Sequence, residues 1–303
     1  MIRLTRRAAL GSAAALPFLP LAAQAAAPKQ EAVQQTVRRF ALGDLEVTTL
    51  LANTLTNPAD PQTIFGMNVD KETFEQVSRD AFLPTDVSQF FFTPTLVNTG
   101  ESLVLFDTGQ NPESITAAVT AAGYTPDQVD TVVITHMHGD HIGGLMTDGN
   151  PTFANAAYVT GQAEFDAWAS QANEGFEANV RPLAEKMTFI GDGQDAAPGI
   201  TAVAAFGHTP GHMTYRLSSG DKSLLIAADL ANHYVWSLAH PDWEVRFDMD
   251  KEAAAASRRA VLSMLAAERM PMIGYHMPFP AVGFVETRDD GFHWVPESYQ
   301  LML

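Results

Sequence analysis

The chain has 303 residues, 46% of them hydrophobic, a formal net charge of −17 and no cysteine. That length buries one large core or two small ones. The absence of thiols excludes disulfides and thiolate metal ligands, and the acidity argues against nucleic acid and anionic membrane surfaces as partners.

Residues 1–25 read as an export signal peptide. Arg3, Arg6 and Arg7 precede a small, apolar run from Ala8 to Ala23, and Ala23-Gln24-Ala25 fits a cleavage site. Thr5-Arg6-Arg7 with Leu10 resembles a twin-arginine signal, departing from it at Ala9 and Gly11, so both the twin-arginine and the general route stay open. Removing these residues takes away three arginines and no acid, which moves the net charge from −17 to −20. Residues 26–36 are expected to be flexible, and 37–303 to form the catalytic domain. The expected location is periplasmic or secreted.

Phe40–Leu42 and Leu45–Leu51 read as strands around Gly43-Asp44. From Asn53 to Asp86 the pattern is irregular, with Phe65, Phe74 and Phe82 scattered through it; a stretch that long is read as a lid or pocket wall, or else as a dimer contact or a helix packed on the core. Phe90–Phe92, Thr95–Val97 and Ser102–Phe106 are strand regions, the last ending in Asp107-Thr108-Gly109. Pro112–Ala122 reads as a helix ended by Gly123, and Val129–Thr135 as the next strand, so a βαβ unit is expected. Tyr158-Val159 (strand), Gln162–Gln171 (helix) and Ile200–Phe206 (strand) follow, then a hairpin of Met213–Leu217 and Ser223–Ala227 that ends at Ala228-Asp229. The Ala-rich stretch Lys251–Glu268 is a helix, Met272–Tyr275 a strand that delivers His276, and Gly283–Glu286 with Phe292–Val295 a last hairpin.

One stretch organises the rest. Thr135-His136-Met137-His138-Gly139-Asp140-His141 follows the apolar run Val132-Val133-Ile134. Alternate strand positions face the same way, so His136 and His138 stand side by side, while Asp140 and His141 leave the strand direction. That arrangement suits two metal ions, for which His and Asp are usual zinc ligands. Six of the nine histidines, His136, His138, His141, His208, His212 and His276, lie at the ends of predicted strands, and Asp229 ends another.

His-x-His-x-Asp-His after an apolar strand resembles the metal motif of the metallo-β-lactamase superfamily. Ala121-Ala122-Gly123-Tyr124, Gly207–His212 followed by Thr214-Tyr215, and His276-Met277-Pro278-Phe279-Pro280 are similar to methyl parathion hydrolase and its relatives. The resemblance implies an α/β fold, a four-layer αβ/βα sandwich. It assigns His136, His138 and His208 to a first metal, Asp140, His141 and His276 to a second, and Asp229 to both. Asp107 and His212 become supports of the ligands, and Asp140 also a catalytic residue that orients the nucleophile. Trp168 matches a pocket aromatic, with a core tryptophan as the other reading. Asn232, three residues after Asp229, departs from a branch that tends to be apolar there; acyl-homoserine lactonases of the superfamily often carry Tyr.

The implied activity is that of an exported metal-dependent hydrolase with two divalent ions, zinc by preference, cleaving a small ester, lactone or phosphotriester with a hydroxide held between the metals. A β-lactamase or thioester hydrolase, and a mono-iron persulfide dioxygenase, are the other enzymes the pattern admits. No nucleic acid or membrane partner is expected, and a homodimer is left open.

Overall fold

The computed structural model describes Lys29 and residues 35–298. The expected signal peptide lies outside the described residues, as does most of 26–36. No helix among the described residues is long and apolar enough to cross a membrane.

The first half of the chain contains β1 (Val37–Leu42), β2 (Leu45–Leu50), β3 (Asn53–Asn57), α1 (Lys71–Asp80), β4 (Ser88–Phe92), β5 (Thr95–Asn98), β6 (Leu103–Phe106) and α2 (Pro112–Ala121). Then come β7 (Thr131–Ile134), α3 (Gly139–Ile142), the short pair β8 (Met146–Thr147) and β9 (Asn150–Pro151), β10 (Ala157–Gly161), α4 (Gln162–Ala169), α5 (Glu174–Asn179) and β11 (Met187–Ile190). The second half runs β12 (Asp195–Ala197), β13 (Ile200–Ala204), β14 (Met213–Ser219), β15 (Lys222–Ala228), a π-helical turn (Tyr234–Ala239), α6 (Lys251–Glu268), β16 (Met272–Gly274), β17 (Val282–Arg288) and β18 (Gly291–Pro296). Two seven-stranded sheets result, ordered β1-β2-β5-β6-β7-β10-β11 and β12 through β18 in sequence.

Strand alternation sorts the side chains into layers. Val104, Phe106 and Val133 join Tyr215 and Leu217 of the other sheet in one core, with Val261, Leu262 and Leu265 of α6. Leu105, Val132 and Ile134 point the opposite way, against Ile115 and Val119 of α2, Trp168 of α4 and Phe176 of α5. Each sheet thus buries both faces, which explains the near-continuous apolar runs at β6 and β7. The product is the expected four-layer αβ/βα sandwich.

The stretch from Asn53 to Asp86 differs from its irregular reading. β3 pairs antiparallel with β4, and α1 is capped by Asp70, whose carboxylate accepts from the Thr73 N–H at 2.8 Å. Periodicity is faint there because only Phe74 and Ser78 of α1 are buried and β3 is polar. Phe65 and Phe74 sit in a third cluster with Trp236 and Trp243, while Phe82 is 97% exposed.

The loop carrying His208 and His212 is seated by two glycines. Gly207 has φ +122°, and a Cβ there would stand 2.1 Å from the Ala254 backbone nitrogen at the start of α6. A Cβ on Gly211 would stand 2.1 Å from the Glu164 backbone nitrogen in α4. Backbone cannot yield as a side-chain tip does, so Gly211→Ala is expected to destabilise by about 1–3 kcal/mol or more. Urea unfolding measures this; a loss below about 0.5 kcal/mol, the range of inert surface changes, would show that the loop is not fixed by this contact.

Candidate metal centre

The candidate ligands come from the ends of separate strands. His136 and His138 follow β7, and His138 is also the N-cap of α3, which carries Asp140 and His141. His208 and His212 lie in the loop between β13 and β14, Asp229 follows β15, and His276 follows β16. Left-handed backbone on non-glycine residues turns one of these ends, Ala228 at φ 47° after β15, and also the neighbouring end of β6, Asp107 at φ 60°. Such strained positions persist where surrounding contacts hold them, and here they re-aim the chain at the centre.

The side chains converge on two donor sets: His136, His138, His208 and Asp229 in one, Asp140, His141 and His276 in the other, with the donor atoms of each set within 4.8 Å of one another. Asp229 lies between them. Its Oδ2 is 3.3 Å from His208 Nε2 and 3.1 Å from His276 Nε2, and its Oδ1 is 3.2 Å from His141 Nε2. Asp140 Oδ2 stands 3.4 Å from His276 Nε2 and 3.7 Å from His141 Nε2. His138 Nδ1 and His208 Nε2 are 2.9 Å apart.

Among the described residues, His136 Nε2, His141 Nε2 and Asp229 Oδ1 are buried without a hydrogen-bond partner, the short His141–Asp229 approach being misaligned for one. A buried polar atom left unpaired costs about 1–3 kcal/mol, so three on one spot mark a place built for something else. Imidazole nitrogens and carboxylate oxygens are the donors divalent zinc-like cations take, and the set fits them.

Groups behind the ligands fix which nitrogen faces inward. His141 Nδ1 is 2.8 Å from Asp107 Oδ2, and Asp107 also accepts from the Thr135 N–H and hydroxyl. His276 Nδ1 meets the Phe91 carbonyl at 2.8 Å, and His208 Nδ1 meets Asp248 Oδ1 at 2.9 Å. In each case Nε2 is left for the centre. His212 points elsewhere: its Nε2 accepts the Asp229 N–H at 3.1 Å, so Nδ1 carries the proton and donates to the Ala205 carbonyl. It holds the Asp229 backbone and offers no free nitrogen.

Electrostatics agree. Burial depresses the basicity of His208 and His276, yet the hydrogen bonds and charges of Asp229, with Asp248 and Asp140 respectively, raise them to about 9 and about 10. Asp140 is opposed by burial but drawn down to about 2 by the His141 and His276 charges. The carboxylates demand positive charge in this spot, and a divalent pair meets that demand. Burial, helped by His208, instead drops His138 to about 4 and His212 to about 3, leaving both neutral.

Several supports escaped the sequence reading. Asp248 is joined by Arg258, buried on α6, whose Nη1 donates to Oδ2 at 2.8 Å. A lone arginine on the apolar stripe Ala254, Val261, Leu262, Leu265 was the available signal. Glu164, fully buried, accepts four donors: the Met137 and Gly211 N–H groups, the Thr209 hydroxyl and Trp168 Nε1. It ties the loop after β7 to the loop between β13 and β14. Tyr275 lies against His141 with ring centroids 3.9 Å apart and planes tilted by 33°, and donates its hydroxyl to the Asp140 carbonyl at 2.6 Å.

A cavity of about 400 Å³ opens over the centre, walled by Leu55, Phe90, Phe92 and Phe247, with Gln110 at its edge and His138, Asp140, Asp229 and His276 among its lining residues. Trp168 is not part of that lining. Its ring is buried behind His138, edge-on at 5.8 Å, and its indole N–H goes to Glu164 at 2.7 Å, so the assignment to the substrate pocket is corrected to a core position. Two of the pocket aromatics, Phe90 and Phe92, come from β4, which the sequence showed only as a strand, and the third is Phe247; Phe65 and Phe74 pack behind them in the same cluster and Phe82 faces solvent.

Residues 93–272 match the family model of the metallo-β-lactamase superfamily. An N-acyl homoserine lactonase of Bacillus cereus is 26% identical over 158 residues, 52% of this chain and 59% of that enzyme. The lactamase-like protein nscB of Aspergillus fumigatus is 31% identical over 153 residues, 48% of this chain and 39% of its own length. The matched stretches thus span little more than half of these relatives or less. Among solved structures, AidC, a dizinc quorum-quenching lactonase in complex with a product, is similar with a TM-score of 0.80 at 26% identity, covering 87% of this chain and 98% of that one. A hydrolase of the β-lactamase superfamily, AbOPH, is similar with a TM-score of 0.80 at 26% identity, covering 89% and 99%. A family model that spans more than half of the chain, and that includes six of the seven candidate ligands, identifies this chain as a member of the metallo-β-lactamase superfamily.

Proposed function

We propose that the chain is a dinuclear zinc hydrolase of uncharged lactones or carboxyl esters with an apolar substituent. The observation that carries this is Asp229, set between two complete donor groups at the floor of an apolar cavity. His136, His138 and His208 would hold one ion, Asp140, His141 and His276 the other, with Asp229 shared. When bound, such a pair supplies Lewis-acid polarisation of the scissile bond and a water of lowered pKa.

The chain's own residues supply the rest. Asp140, ionised at neutral pH, orients an attacking water by accepting its hydrogen bond; a carboxylate this acidic is a weak base and serves better to aim than to remove a proton. Gln110 Oε1 accepts from Asn53 Nδ2 at 2.7 Å, which turns its own amide N–H₂ group free for an acyl carbonyl. Leu55, Phe90, Phe92 and Phe247 exclude water from an acyl chain or an aryl leaving group.

No Lys or Arg among the described residues lines the cavity, so a substrate carboxylate finds no counter-charge, which counts against a β-lactam. The complete second donor group counts against a mono-iron dioxygenase. The lactonase relatives support the lactone reading. Phosphotriester hydrolysis of the methyl parathion hydrolase kind is the second reading, favoured by the aromatic wall, which suits an aryl leaving group. Export to the periplasm or medium is proposed on Arg6-Arg7, the apolar run and Ala23-Gln24-Ala25.

Comparing kcat/KM for an acyl-homoserine lactone, an aryl ester, an aryl phosphotriester and a cephalosporin tests the assignment; activity confined to the cephalosporin would overturn it. Elemental analysis of unchelated protein is expected to approach two ions per chain, and Asp229→Ala to lose metal together with turnover of every substrate. Phe247→Ala is expected to lower kcat/KM for long-acyl or aryl substrates by about tenfold to a few hundredfold while short aliphatic ones change less; equal losses on both would remove Phe247 from the substrate wall. Mass spectrometry of exported protein is expected to find Ala26 at the N-terminus, and recovery of only the intact chain from the cytosol would refute cleavage.

A further inference from the structure

Between the π-helical turn and α6 the chain runs irregularly from His240 to Asp250. It touches the segment before α1, where the Arg246 N–H donates to the Ile64 carbonyl at 2.8 Å and Val245 bridges to Phe65. Two consecutive residues of this stretch reach the candidate centre from different sides. Phe247 lines the cavity and packs edge-on against Phe90 at 6.2 Å. Asp248 meets His208 Nδ1 at 2.9 Å, and the Met249 N–H donates to the His208 carbonyl at 3.0 Å. A shift of the stretch therefore moves the cavity wall and a candidate ligand together.

Arg258 grips this stretch from α6. It is 1% exposed and shares its helix face with Ala254, Val261, Leu262 and Leu265. Leucine would pack there without cost, whereas a buried guanidinium persists only where its donors are met. The irregular stretch meets them. Nε donates to the Pro241 carbonyl at 2.9 Å, Nη1 to Asp248 Oδ2 at 2.8 Å and Nη2 to the Trp243 carbonyl at 3.4 Å. A guanidinium is planar and its donors point in fixed directions, so acceptors spread from residue 241 to 248 are held in one register. Lysine carries a compact charge on a flexible stem and does not reproduce that fork.

We propose that Arg258 is a positioning residue for substrate selection and metal binding together. It locks residues 241–248, so that Phe247 keeps its place in the cavity wall and His208 its place in the first donor group. This rests on the reading of the cavity over the centre as the substrate site. Arg258 is not part of the cavity lining and acts through Phe247 and Asp248.

The test is Arg258→Lys in the full-length, zinc-loaded protein, alone and combined with Phe247→Ala. KM and kcat are measured separately for 2-naphthyl acetate and γ-butyrolactone, and zinc affinity by competition with a chromogenic chelator. Arg258→Lys is expected to raise KM for the naphthyl ester by about tenfold or more, with kcat and the small lactone's KM changed less than about threefold. In the Phe247→Ala background the same change should raise the ester's KM less than about twofold, because coupled sites do not add. One of the two zinc ions should bind about tenfold more weakly, the low end of what a group behind a ligand contributes. Additive effects on KM, an equal rise for both substrates, or unchanged zinc affinity would each overturn the proposal, and a lower melting temperature alone would leave Arg258 as a stabilising residue only. If the unmutated protein turns over neither substrate, the hydrolase reading fails by itself, and the zinc competition still decides for or against Arg258. If Arg258→Lys does not fold, Asp248→Asn, which breaks the same grip from the other side, goes through the same cycle with the same deciding outcomes.

Discussion

The placement of the Asp229 carboxylate is the constraint on which the rest depends. It is 2% exposed, within 3.3 Å of three imidazoles from three different loops, and one of its oxygens has no hydrogen bond. An isolated buried carboxylate is too costly to persist, so the fold must bring cations or acidic hydrogens to it. Every neighbouring feature serves that need. His212 grips the backbone N–H of Asp229, left-handed Ala228 turns it inward, and Asn232 Nδ2 donates to its Oδ2 at 2.9 Å.

The ligands are aimed by a ring of groups that never reach the centre. Asp107, the Phe91 carbonyl and Asp248 each take one nitrogen of a histidine and leave the other free. Arg258 then neutralises Asp248 from within α6, so a second buried charge does not stand alone. Glu164 accepts four hydrogen bonds, from α4 and from both loops that carry candidate ligand histidines. Burial pushes its carboxyl above the usual range, against the pull of those donors. The geometry is therefore held by hydrogen bonds spanning both halves of the chain, with close backbone contacts at Gly207 and Gly211 allowing the approach.

The ribbon of β3 and β4 gives the centre its surroundings. A strand presents alternate residues to opposite faces, and a run of three phenylalanines therefore walls two spaces at once. Phe90 packs edge-on to His276 at 6.0 Å and Phe92 at 5.4 Å, so the apolar wall and this candidate ligand share a surface. The cavity wall and the packing of His276 thus meet in one short segment.

The amino-acid sequence by itself determined which residues are candidate donors. A His-x-His-x-Asp-His run after an apolar strand, with His208, Asp229 and His276 each at a strand end, names the donor set, because strand ends in an α/β fold share one rim. It also determined the two-sided burial of β6 and β7, legible as unbroken apolar runs. What only the tertiary structure decided are the contacts between residues remote in the chain. Asp248 lies forty residues from His208, and nothing local marks it. Trp168 and the β4 phenylalanines are alike as aromatic residues in sequence; Trp168 is core because its indole N–H is claimed by Glu164 one turn away, and Phe90 and Phe92 form a wall because β4 pairs with β3 beside the candidate metal centre. Helix α1 was hidden by its polar surface, since periodicity reports burial and this helix buries only one turn's worth of its face.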